Sequence, residues 1–355
     1  MDMQFILRIR RRNPAKTGGP RGLAGAAYCP CAGRFRTAVR DAKLVFMTAK
    51  PIYAAISLLL LLGTAQAAPS QQAFDAYQKG DYGKALKLLL PLAEAGDASA
   101  QYDVGAMYNN ALGVQPDYAE AAKWLAKSAA QGNVYAMVDL GVLRRDGRGG
   151  PADPAAALAL FRKAAARGSS AAELDIGSLY EHGLGAGRDY AQAAHWYRQA
   201  AGHGNAEAQY DLGVLYAHGQ GVPADAKQAA GWYRKAADQG NDSAQLNLGA
   251  LYYAGQGVPR DASQAIKWMR LAAQQANGHA QYDLATLYAQ GIGAAQNLPG
   301  ALVWYSAAAV MLKGDEARAA ADAARQTAQA MTPAQRAQAK QIAAACKDGN
   351  YKRCN

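Results

Sequence analysis

Apolar and small residues return along this chain with a step of 36. Trp196, Trp232, Trp268 and Trp304 keep that spacing, Trp124 lies two steps before the first of them, and Leu160 takes the place between. Gly105, Gly141, Gly177, Gly213 and Gly249 form a parallel series in which Ala285 is sixth. A second glycine series, from Gly113 through Gly149, Gly185, Gly221 and Gly257 to Gly293, has no gap, and neither has the alanine series from Ala121 to Ala301. A fixed period of this size marks stacked supersecondary units, so the fold class follows before any propensity is weighed.

Within one period the pattern predicts two helices. In the unit that starts at Asn205, that residue occupies an N-cap position, as do Asp97, Asn133, Ser169, Asn241 and Asn277 in the others. The first helix is expected to run to about His218, where Gly219, Gly221 and Pro223 interrupt it. Asp225 caps the second helix, and Asp117, Asp153, Asp189, Asp261 and Asn297 stand in the same place. Gly240 then closes the hairpin from a C′ position. A glycine inside a helix costs about 1 kcal/mol relative to alanine, so Gly213 implies that another element comes very close. Tyr216 and Trp232 supply bulk between hairpins, and the tryptophan series reads as core rather than as a ligand cage.

The order Ala-x-x-x-Leu-Gly-x-Leu-Tyr, Gly-x-Gly-Val, Asp, Ala-x-x-Trp-Tyr-x-x-Ala-Ala and a closing Gly resembles the Sel-one-like repeat, a class related to the tetratricopeptide repeat. The segment LGVLYAHGQGVPADAKQAAGWYRKAADQGN is a close match, and the resemblance spans Ala73 to Leu312. The first unit, from Phe74, lacks the longer glycine loop and looks more like an ordinary tetratricopeptide hairpin. Arg144, Leu160, Ala276 and Ala285 depart from the pattern and put local packing in question. The resemblance implies an all-α, right-handed α-solenoid of stacked helix-turn-helix repeats. It also implies a non-catalytic adaptor that binds a protein or peptide on its concave surface. One exported branch of the family is associated with penicillin binding and β-lactam hydrolysis. The cysteine pair in each repeat that marks that branch is missing here.

By the same resemblance, the first helix of each hairpin lines the groove, at the positions three before and four or five after its central glycine. The candidates are Tyr102, Asn109, Arg145, Asp146, Glu181, His182, Tyr210, His218, Tyr253 and Tyr282. Their chemistry changes from unit to unit, as a groove reading a non-repetitive partner requires and as unconstrained surface also shows.

Charge and cysteine usage shift the picture towards export. Residues 47–67 have the parts of a signal peptide: Lys50, an apolar run from Ile52 to Leu62, and Ala65-Gln66-Ala67 before the cleavage point. The preceding 1–46 segment is basic, rich in Gly and Pro, and holds Cys29 and Cys31. It reads as the product of a start codon placed too far upstream, against a long n-region or a cytoplasmic arm. The whole chain is +11, but residues 1–46 hold ten Lys and Arg against two Asp and Glu, while from Ala68 onward 27 basic residues face 25 acidic ones. The nucleic-acid reading loses its support in that balance. Residues 68–312 form the expected array and 313–355 a helical cap, in which Cys346 and Cys354 suggest a disulfide; a free thiol pair and a redox pair are the alternatives. The localisation expected is periplasmic or secreted, with the membrane met only through the signal peptide.

Independent chemistry is sparse. The repeats contain no Gly-x-Ser-x-Gly, no Ser-x-x-Lys, no His-Glu-x-x-His and no phosphate loop. His182 and His218 owe their spacing to the repeat, and Asp139 with Asp146 reads as ordinary patterning of a solvated face. No cofactor, metal or catalytic residue is expected, and the chain reads as a monomer. The competing class is an envelope enzyme or glycan-binding protein that uses the groove as its site.

Overall fold

Residues 69–346, Tyr351 and Cys354 are described in the computed structural model; the expected signal peptide, the basic segment before it, and Cys29 and Cys31 lie outside them. The described residues form sixteen helices and no strand, ordered as successive hairpins. They are α1 (Pro69–Gln78) with α2 (Tyr82–Glu94), α3 (Ala98–Asn109) with α4 (Tyr118–Ala130), and α5 (Val134–Asp146) with α6 (Pro154–Ala165). Next come α7 (Ser170–His182) with α8 (Tyr190–Gly202), α9 (Ala206–His218) with α10 (Ala226–Asp238), and α11 (Asp242–Ala254) with α12 (Ala262–Gln274). The last are α13 (Gly278–Gln290) with α14 (Leu298–Met311), followed by α15 (Gly314–Ala330) and α16 (Pro333–Ala345). The chain is an all-α solenoid of repeats, and it divides between Ala172 and Glu173 into two compact units.

Local chemistry sets the ends of these helices. Asn205 and Asn241 accept from the backbone N–H groups of Ala208 and Ala244, and Asp225 and Asp261 from those of Gln228 and Gln264. Gly219, Gly255 and Gly291 end the odd-numbered helices in the left-handed region. Most helices are only 13 residues long, too short to be stable in isolation, so packing must hold them.

That packing explains the central glycines. A Cβ at Gly141, Gly177 or Gly213 would lie 2.5, 2.5 or 2.7 Å from the ring of Phe161, Tyr197 or Tyr233 on the second helix of the same hairpin. Those three rings are essentially without exposure. The residue seated on the glycine is thus the one after the tryptophan position, and this corrects the expectation for the tryptophans. Trp124, Trp268 and Trp304 are buried, but Trp196 and Trp232 are only half-buried, because Tyr197 and Tyr233 fill the space beside the glycine. In the second glycine series, Gly149 has φ +77° and a Cβ there would meet the Tyr118 carbonyl, while Gly221 meets that of Tyr190. Within each unit these glycine loops therefore rest on the backbone of the preceding hairpin.

Polar ladders join successive hairpins. Gln209 and Gln245 donate to the carbonyls of Ala201 and Ala237, and accept in turn from Gln239 and Gln275 at 2.8 and 2.9 Å. Arg198 and Arg270 donate to the hydroxyls of Tyr216 and Tyr288, as Arg234 does to that of Tyr252. At the C-terminal end Thr332 and Gln335 form a reciprocal capping box over Pro333. Cys346 and Cys354 are joined with Cα atoms 5.2 Å apart. Cys354 is buried in the cluster around Trp304, whose ring lies 6.0 Å from that of Tyr351.

Candidate binding surface

From α3 to α13, each odd-numbered helix buries one side against its neighbours and leaves a strip within reach of solvent. On α5 that strip carries Tyr135, Asp139, Val142 and Arg145; on α9 it carries Glu207, Asp211 and His218. Steps of three, four or seven residues are those of one helix face. The strip includes most of the residues expected from the sequence.

In the unit that ends at Ala172, Tyr102 is half-buried with its ring 5.9 Å from that of Tyr135. Burial, then the charges of Asp139 and Asp103, hold its hydroxyl well above the usual phenol range, and Asp139 hydrogen-bonds it. Asp139 is therefore a neighbour of a candidate residue rather than idle surface. Asn109 is partly exposed, and Arg145 Nε donates to Asp146 Oδ1 at 2.7 Å, so these two charges offset each other. Asp103 is pushed up to about 7 by burial and, secondarily, by Asp97.

In the unit that begins at Glu173, His182 is exposed, with Nδ1 2.8 Å from the Ser178 carbonyl, and His218 is exposed at the end of α9. Tyr253 is partly exposed beneath the Arg260 guanidinium, 5.8 Å from its ring centre. Tyr282 meets Tyr305 edge to face at 5.2 Å, and burial, then Asp283, raises its hydroxyl.

Two candidates lie elsewhere. Tyr210 is 4 % exposed and packs at 5.8 Å on Tyr233, so it belongs to the core. It stands one residue, about 100° of helix, from the accessible Asp211. Glu181 is 8 % exposed and accepts from the Tyr197 hydroxyl at 2.7 Å. Its carboxylate serves the buried tyrosine that fills the central glycine site.

Of the positions two before the central glycine, only Asp139 is singled out from the sequence, as solvated-face patterning. Asp103, Asp139, Asp175, Asp211, Asn247 and Asp283 repeat there without a gap, five carboxylates and one amide. The complete 36-residue period was the available signal. Among the described residues no group of His, Cys, Asp and Glu is placed to hold a metal ion, and no helix is long and apolar enough to cross a membrane.

A profile of the Sel1 repeat matches residues 74–97, 98–133, 134–169, 170–205, 206–241, 242–277 and 278–309. The chain belongs to the Sel1 repeat family. The shortened first hairpin, which lacks the glycine loop, is included in the match. From 98 onward each Sel1 repeat but the last ends on the N-cap residue of the next hairpin, at Asn133, Ser169, Asn205, Asn241 and Asn277. A Sel1 repeat protein from Oxalobacter formigenes is similar at 31 % identity and a TM-score of 0.61, over 68 % of this chain and 97 % of that one. The protective antigen c5321 of uropathogenic Escherichia coli, which has an SLR fold, is 26 % identical with a TM-score of 0.35, over 81 % of this chain and 77 % of that one. Comparison with curated proteins gives no match. Sel1 repeat solenoids typically serve as scaffolds for protein interaction.

Proposed function

We propose that this Sel1 repeat protein is an exported, non-catalytic scaffold that holds another protein or a peptide along the row of odd-numbered helices, the row that tetratricopeptide-like arrays turn inward. One contrast carries this reading. The packed positions repeat almost unchanged, as in Gly141, Gly177 and Gly213, whereas the place four after the central glycine holds Asn109, Arg145 or Tyr253 and the place five after it Asp146, His182 or His218. A surface whose chemistry varies on a constant frame can be read by a partner that is not itself periodic.

Replacing Tyr253 with Ala should weaken capture of the partner from a periplasmic extract while leaving the melting temperature nearly unchanged, because its ring is already partly in solvent. Undiminished capture would move the interface off this row. Export is supported by the signal-like residues 47–67 and by the pairing of Cys346 with Cys354. The expected mature N-terminus is Ala68, which mass spectrometry of protein from the host reads directly. Peptides from residues 1–46 in the folded protein would refute it. Intact mass without reductant should show Cys346 bonded to Cys354, and alkylation of both thiols under those conditions would remove this support for an oxidising compartment.

A further inference from the structure

We infer that the even-numbered helices α8, α10 and α12 form a second contact surface, separate from the odd-numbered row, that docks on the headgroups of an anionic lipid bilayer. All three lie in the unit that begins at Glu173, and the inference goes beyond the odd-row reading without resting on it.

Charge on these helices has almost a single sign. They carry Arg198, Lys227, Arg234, Lys235, Lys267 and Arg270 against Asp238 alone among the acids. Arg198, Lys227, Lys235 and Lys267 are exposed, and none of the six cations forms an ion pair with another described residue. On α15, by contrast, Arg318 pairs with Asp315 and Arg325 with Asp322. The carboxylates at the starts of the three helices, Asp189, Asp225 and Asp261, accept from backbone N–H groups of the first turn. Lys227 and Arg234 are seven residues apart and Lys267 and Arg270 three, so each pair shares a helix face. Such a strip attracts anionic groups.

A second, independent feature is the apolar surface among these cations. Lys235 Nζ lies 3.8 Å from the ring centre of the half-buried Trp232, and the Arg234 guanidinium and Lys267 Nζ lie 4.9 and 5.5 Å from that of Trp268. Trp196 is half-buried as well, and Leu271, one period after Lys235, is 38 % exposed. Tryptophan beside lysine and arginine suits the boundary between water and lipid, where the indole sits at headgroup level and the cations meet phosphate. An acidic peptide would engage the cations and gain little from Leu271 or the tryptophan edges. The surface is also uniform along its length. Arg198, Arg234 and Arg270 keep the 36-residue step, each held on a tyrosine hydroxyl of the next hairpin, at Tyr216, Tyr252 and Tyr288. Whereas the odd row changes its chemistry from repeat to repeat, a row of like groups fits a ligand that is itself uniform, as a lipid leaflet is.

The test sediments protein purified from its host with vesicles of phosphatidylglycerol and phosphatidylcholine in equal parts, and with vesicles of phosphatidylcholine alone. Binding should appear with the anionic vesicles only and weaken as salt rises. The double variant Lys235→Gln/Lys267→Gln should lower the partition coefficient about thirtyfold with an unchanged circular-dichroism melt. Arg318→Gln/Arg325→Gln, which removes two cations from α15, should change it little. Absence of binding to anionic vesicles, equal binding to neutral ones, or an equal loss in the α15 variant would overturn the inference. Tyr253→Ala, expected to release the captured protein, should leave vesicle binding intact; loss of both together would move the lipid to the odd row and overturn it too. A fluorescein-labelled peptide of alternating glutamate and glycine, bound by the wild type and released by Lys235→Gln/Lys267→Gln while vesicles stay unbound, would reject the membrane in favour of an acidic protein segment.

Discussion

At Glu173 and His203 the glutamine ladder changes chemistry without changing place. Where the later hairpins pair Gln209 with Gln239 and Gln245 with Gln275, His203 Nδ1 lies 2.9 Å from Glu173 Oε2, and the carboxylate is buried. His203→Ala should therefore destabilise by about 1–3 kcal/mol, the cost of stranding a buried acceptor, while Glu173→Gln combined with His203→Gln should recover the loss by rebuilding the amide rung. Thermal melts of the three proteins decide this, and a wild-type melt for His203→Ala refutes it. Asp103 makes a pH-dependent prediction. Burial raises its folded pKa to about 7 from 3.8, so the folded state binds the extra proton across that window. Stability at this site is greatest below the unfolded value and is lost as pH rises towards 7. Asp103→Asn should accordingly stabilise at pH 8, change little at pH 4, and flatten the melting profile between. The caps were legible in the sequence because an Asn205 or Asp225 acts on backbone only three residues away. Tyr210 was not, because its burial depends on a ring from another helix, and a single helical step separates it from the open strip.

Among the elements, the turns carry two local conflicts. Ala111 and Ala276 have φ of 56° and 63°, in places where the other hairpins put glycines such as Gly219 and Gly240 at positive φ. The left-handed region costs a non-glycine residue about 1–2 kcal/mol. Ala111→Gly and Ala276→Gly should each raise the melting temperature, by the equivalent of about 0.5–1 kcal/mol after the added freedom of the unfolded chain is subtracted. A fall in either melt would show that the alanine methyl packs usefully. The second helix of each hairpin poses a different question, since Tyr233 and Trp232 compete for the glycine site and Tyr233 occupies it. Tyr233→Ala should cost about 3–5 kcal/mol, and Trp232→Ala distinctly less, as read from denaturant titrations. The reverse order would put the indole back in the core. Periodicity located the tryptophans but not their depth, which depends on the residue that follows. Leu125 and Met269 leave room for Trp124 and Trp268 to pack, whereas Tyr197 and Tyr233 displace Trp196 and Trp232 outward. Trp304 is buried despite Tyr305, because Tyr351 of the C-terminal tail stacks close to it.

At the level of the molecule, each hairpin of a repeat array leans on its neighbours, and an end must be closed. The C-terminal closure uses α15, α16 and a tail whose Cys354 reaches the core cluster of the last hairpins. Cys346→Ser should lower the midpoint of the melt and expose the Trp304 surface, seen as a red shift of its fluorescence, and an unchanged spectrum would show that the tail docks without its covalent tie. The succession of hairpins, their lengths and their family were written in the period. The partner was not, because binding depends on the accessible strip, where the period places a residue without dictating its type. The glycine loops extend this to history. Since Gly149, Gly221, Gly257 and Gly293 press on the main chain of the preceding hairpin, and main chain is the same under every side chain, this part of the seam between repeats is indifferent to its neighbour, whereas a rung such as Glu173 with His203 is not. A duplication or deletion that respects the 36-residue frame would therefore meet a glycine contact that already fits, and only the side-chain rungs would have to be matched anew.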